Sequence, residues 1–99
     1  MPHHAHFIAL WGLFLVQSSD KEPDLLILGR AVKLVREQRG MSTDELAASS
    51  GILRERIDAL EAGRLDPTYE LLVKIADGLG TKPSTLVTLA ERLRASTSR

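Results

Sequence analysis

Ser42-Thr43-Asp44-Glu45-Leu46-Ala47-Ala48-Ser49-Ser50-Gly51-Ile52-Leu53-Arg54-Glu55-Arg56-Ile57-Asp58-Ala59-Leu60-Glu61-Ala62-Gly63 holds two short amphipathic segments joined at a glycine. Ser42-x-x-Glu45 is a capping box. The serine hydroxyl takes the backbone N–H three residues on, the glutamate reaches back, and the acids suit a helix N-terminus. Leu46, Ala47 and Ser50 are the inward residues of the helix that follows. Gly51 ends it, because a turn there needs a positive φ that glycine adopts without steric cost. Ile52 re-enters the core, and a second helix is predicted over about 53–62, with Ile57 and Leu60 inward and Gly63 as C-cap. Small Ala47 lets the two helices approach closely, and the turn sets a steep angle between them. Arg54, Glu55, Asp58 and Ala59 are left on an outer face, in the geometry of a helix-turn-helix whose second helix can enter the DNA major groove.

Working outward, Leu25, Leu28, Val32 and Val35 recur at spacings of three and four after Pro23-Asp24, predicting an amphipathic helix closed by Gly40. On the other side, Asp66-Pro67-Thr68 is a loop with Thr68 as an N-cap. Leu71, Leu72, Ile75, Ala76 and Leu79 form the apolar face of a fourth helix, stopped by Gly80. Pro83 suits the first position of a fifth helix, which carries Leu86, Leu89, Ala90 and Leu93 on one side. No strand pattern is present. The expectation is an all-α, compact five-helix domain over residues 23–95 with the helix-turn-helix at 42–63. It is preceded by an apolar extension over 1–22 and followed by a polar tail over 96–99, frayed from Ala95 onward.

Ninety-nine residues, 43% of them hydrophobic and 26% charged, describe a small soluble domain with one core. Thirteen basic and thirteen acidic side chains give zero formal net charge, which excludes a strongly basic nucleic-acid coat. Any DNA contact must come from local placement. Residues 21–40 and 64–99 are each net basic, whereas residues 41–63 hold two arginines against five acids. The absence of cysteine excludes disulfides, thiolate zinc sites and cysteine nucleophiles. Aromatics at 4% disfavour a stacking platform for single strands. The histidines, His3, His4 and His6, sit at the amino end without carboxylate company and read as solvated side chains rather than metal ligands. With no phosphate loop or nucleophile motif either, no enzyme activity, metal or cofactor is expected. Nor is a small-molecule ligand.

Residues 7–16 are an unbroken apolar run, including Phe7, Leu10, Trp11 and Phe14. It is too short for a membrane span, which needs about 20 residues. It lacks the basic flank and cleavage site of a secretory signal. It reads as an extra element packed on the domain or a partner chain, an interfacial anchor, or the product of a start codon set too far upstream. Nothing argues for export, so the cytoplasm is the expected compartment.

Residues 28–89 resemble the phage-repressor/Cro-type helix-turn-helix family, the Xre family. The resemblance is carried by Leu28-Gly29, Val32, Val35-Arg36, then Ser42 through Ala47, Gly51-Ile52 and Ile57. It continues in Leu60-Glu61-Ala62-Gly63, Pro67, Leu72, Ile75-Ala76 and Leu79-Gly80. It implies a lambda-repressor-like fold and a structural ion pair between Arg36 and Glu61. It also implies DNA contacts at matching positions: Thr43 on phosphate, Arg54 and Glu55 as base readers, Asp58 and Ala59 facing the groove. Arg64 and the amides near Thr68 would meet the backbone, with Arg56 reaching it sideways. Two departures stand out, since the family commonly has Gln at the position of Thr43 and Ser or Thr at that of Leu53.

The function expected is a sequence-specific transcriptional regulator, a homodimer on a two-fold operator. The dimer or partner surface would be drawn from Phe7, Leu10, Trp11 and Phe14, or from Leu86, Leu89 and Leu93. Alternatives are an antitoxin-type regulator of a toxin–antitoxin pair, and a protein-interaction module that keeps the fold without binding DNA.

Overall fold

In the computed structural model, which describes residues 21–97, the apolar periodicities become five helices. They are α1 (Lys21–Gln38), α2 (Thr43–Ser50), α3 (Arg54–Glu61), α4 (Tyr69–Leu79) and α5 (Pro83–Thr97). No strand occurs among the described residues. Three boundaries differ from expectation. Helix α1 starts at Lys21, ahead of Pro23, because the first N–H groups of a helix lack an intrahelical acceptor and proline there sacrifices nothing. Helix α5 runs on to Thr97, so Ala95 and Ser96 are helical rather than frayed, and the Ser96 hydroxyl donates to the Leu93 carbonyl at 3.0 Å. The C-cap of α3 is Ala62, with Gly63 following at φ +75°. The apolar run at residues 7–16 and the three histidines lie outside the described residues.

Each helix gives at least one wholly enclosed side chain to a common centre: Val32, Leu46, Ile57 and Leu60, Ile75, and Leu86. Burying each such group stabilises the fold by about 1.5–3 kcal/mol. α1 packs on α5 and α3, while α2 packs on α4 and α3. Leu86 must therefore be withdrawn from the expected dimer surface. It has no exposed area, because the side of α5 that carries it is turned into the core formed with α1 and α4. Leu89 is partly buried against the same core, Leu93 is half-buried, and Val87 is a large exposed apolar residue of α5.

Two close approaches fix how the site is held. A Cβ at Gly29 would collide with the backbone carbonyls of Leu60 and Glu61, so α1 lies directly on the end of α3. A Cβ at Gly78 would stand 2.7 Å from that of Ser50. There the Ser49 hydroxyl lies 3.0 Å from the Gly78 carbonyl and 3.2 Å from that of Leu46, tying α2 to α4. Among the described residues no helix is long and apolar enough to cross a membrane.

Candidate nucleic-acid interface

The interface is built from a well-fixed α2. Ser42 Oγ accepts the Glu45 N–H at 3.0 Å, and the Ser42 N–H donates to Glu45 Oε1 at 2.9 Å. The backbone N–H of Ser42, then its hydroxyl, hold the Glu45 carboxyl below its ordinary value. Thr43, the first residue of α2, is half-buried; Asp44 beside it is exposed. At the far end Gly51 is left-handed (φ +74°) and donates to the Ala47 carbonyl at 3.0 Å. Ser50 Oγ donates to the Leu46 carbonyl at 2.6 Å and accepts the Ile52 N–H at 3.3 Å. Side-chain and backbone bonds together thus set the angle at which α3 leaves the turn.

Helix α3 opens without a side-chain cap, since Leu53 occupies the N-cap and its side chain accepts nothing. Its carbonyl takes the N–H groups of Arg56 and Ile57. With Ile57 and Leu60 inside, Arg54, Glu55, Arg56 and Asp58 are exposed and Ala59 is half-buried. The carboxyl end of α3 is clamped. Arg36 Nε donates to Glu61 Oε2 at 2.7 Å and Nη2 to Oε1 at 3.0 Å, while Nη1 donates to the Met41 carbonyl at 2.8 Å. Both side chains are about nine-tenths buried, at 10% and 9% exposure. The Glu61 hydrogen bond raises the Arg36 pKa further, against the opposing effect of burial. The pair joins α1 to α3 and leaves little of either side chain exposed.

Beyond α3, the Arg64 N–H donates to the Ala59 carbonyl at 2.8 Å, and the Arg64 side chain is exposed. Thr68 caps α4, its Oγ1 accepting the Leu71 N–H at 3.1 Å, which leaves the hydroxyl proton for an outside acceptor. Arg56 and Thr68 line one shallow recess of about 180 Å³, together with Lys74 and Glu70. Lys74 was not anticipated from sequence; its i,i+4 pairing with Glu70, at 3.6 Å, is the signal that places it on that face. Two large hydrophobics are exposed here, at 69% and 76%: Leu53 at the lip of α3, singled out above as a departure, and Tyr69 next to Thr68, which the sequence did not single out. Arg54 is not alone on its face. Asp44 of α2 lies 3.3 Å from its Nη1 and Asp58 lies 3.7 Å from its Nε. Among the described residues no group of three or more His, Asp or Glu side chains is placed to hold a metal.

Comparison with known proteins gives a consistent picture. The helix-turn-helix family HTH_3 matches residues 32–86, more than half of the chain. The HTH-type transcriptional regulator y4dJ of Sinorhizobium fredii is 32% identical over 62 residues, covering 63% of this chain and 80% of that protein. The HTH-type transcriptional regulator SutR of Escherichia coli is 35% identical over 60 residues, 61% of this chain but 34% of SutR. Among solved structures, the restriction-modification controller protein C.AhdI from Aeromonas hydrophila superposes with a TM-score of 0.63 at 28% identity. That match covers 65% of this chain and 97% of the controller. The clp gene regulator ClgR from Corynebacterium glutamicum gives 0.68 at 27% identity, covering 76% of this chain and 83% of ClgR.

Proposed function

This chain belongs to the helix-turn-helix family HTH_3, and from that premise we propose that it is a sequence-specific DNA-binding regulator of transcription whose α3 enters the major groove. One observation carries the reading: α3 presents an outer face of exposed polar side chains from a helix anchored at both ends, by the Gly51 turn and by Arg36–Glu61. The relatives named above are regulators, not enzymes.

In this reading Arg54 donates two N–H groups to guanine O6 and N7, Glu55 accepts from a cytosine amine, and Ala59 touches a thymine methyl. Asp58 faces the groove beside them. Thr43 and the amides opening α2 meet phosphate, as do Arg64, Arg56 and Thr68 after the recognition helix. The acidic balance of residues 41–63 limits non-specific attraction, so base contacts carry more of the preference. One short helix makes few base contacts, and pairing two copies on half-sites about one helical turn apart is the usual remedy. We therefore read the active form as a homodimer acting in the cytoplasm. The half-buried Leu89 and Leu93 of α5 and the apolar run with Phe7, Leu10, Trp11 and Phe14 are the surfaces offered for pairing.

Selection of duplexes from a random pool by the purified protein, followed by sequencing, tests this. Enrichment of one near-palindromic motif supports a dimeric regulator. No enrichment even at low salt, where phosphate contacts are strongest, would refute DNA readout and favour a protein-interaction module.

A further inference from the structure

The surroundings of Arg54 hold more than a base reader. Its Nη1 lies 3.3 Å from Asp44 Oδ1 and 3.4 Å from Asp44 Oδ2, and its Nε lies 3.7 Å from Asp58 Oδ2. The side chains remain about half exposed or more, at 56% for Arg54, 70% for Asp44 and 48% for Asp58. Ion pairs so open to water contribute little to stability, so their effect is on where the guanidinium sits. Asp58 belongs to α3 itself, one turn on. Asp44 belongs to the first turn of α2, where the exposed amides and helix dipole otherwise favour a phosphate.

Resting on the DNA-binding reading, we propose that Asp44 is a positioning and specificity residue: it holds the Arg54 guanidinium over the base edges and denies it to the neighbouring phosphate. A long arginine at the start of a recognition helix has two competing anions, guanine's acceptors in the groove and the phosphate beside it. A phosphate contact strengthens binding to every sequence alike, whereas a bidentate guanine contact discriminates. The Asp44 carboxylate occupies the phosphate-side flank of Arg54 and repels the phosphate as well. Asp44 thus lowers affinity for DNA in general and raises the preference for one sequence.

The test compares wild type, Asp44→Asn and Asp44→Glu on two duplexes: the sequence wild type selects from a random pool, and the same duplex with the Arg54-contacted G·C pair replaced by A·T. For Asp44→Asn, affinity for the substituted duplex should rise about threefold or more, and the ratio between the duplexes should fall. The slope of log K against log salt should steepen by about one unit as Arg54 gains a phosphate. Asp44→Glu, which keeps the carboxylate, should restore most of the ratio. A purely structural role predicts parallel weakening on both duplexes, and a bulk-charge role predicts parallel strengthening; either result overturns the proposal. If wild type selects no sequence at all, the DNA-binding reading itself falls. If it selects one and the Asp44→Asn ratio is unchanged, only the role of Asp44 falls.

Discussion

Arg36 and Arg54 both meet a carboxylate of α3, and the contrast between them separates what holds this domain together from what it offers to a partner. Arg36 spends its donors on Glu61, through two bonds, and on the Met41 carbonyl, and it is nearly enclosed. Arg54 meets Asp44 and Asp58 at longer distances in open solvent. The chemistry is the same and the surroundings differ. A buried guanidinium–carboxylate pair is costly to break because the survivor is stranded, whereas an exposed pair is readily exchanged for another anion. α3 thus carries a fixed arginine contact at its carboxyl end and an exchangeable one at its amino end.

The largest expected effect lies on the buried side. Arg36→Ala should lower unfolding free energy in urea by about 3–5 kcal/mol, because Glu61 loses its partner. Replacing both residues with apolar ones of similar size should recover much of that loss. A loss for Arg36→Ala below about 1 kcal/mol would erase the distinction between the two arginines. Gly29→Ala, which drives a methyl into the Leu60 and Glu61 carbonyls, should cost about 1–3 kcal/mol through forced separation of α1 and α3. Arg54→Ala sharpens the other side. Its stability should stay within about 0.5 kcal/mol of wild type, while binding to the selected duplex weakens by about 1–3 kcal/mol.

The smallest effect concerns pH. Glu45 titrates below its ordinary value of 4.5 because Ser42 donates to its carboxylate. The stability this adds is therefore fully present above about pH 4.5 and is lost as pH falls through the lower folded-state value. Glu45→Gln should differ from wild type near neutrality and converge with it in acid. A difference that persists unchanged down to strongly acid pH would show that the carboxylate charge plays no part in the cap.

Local rules made much of this legible. The capping box, the glycine turn, the Thr68 cap and Pro83 at the start of α5 each depend on residues a few positions apart. What escaped depends on how helices meet. The spacing of Leu86, Leu89 and Leu93 reveals an apolar side of α5, but not that α1 and α4 cover Leu86 completely. The close contact of Gly78 with Ser50, and the Ser49 hydroxyl that bridges it, follow from the angle between α2 and α4. Asp44 and Arg54 stand on different helices, so only the turn angle brings them together. Pro23 misled for a local reason, since proline marks a boundary in a helix interior but not in a first turn.

Methylation interference can show whether Arg54 reads guanine from the major groove. The selected duplex is methylated at guanine N7, a major-groove atom, and at adenine N3 in the minor groove. Bound and free fractions are then compared for wild type and Arg54→Ala. Interference at one guanine of each half-site with wild type, absent with Arg54→Ala, is the predicted result. Interference confined to adenine N3, or a guanine signal identical in the two proteins, would contradict it.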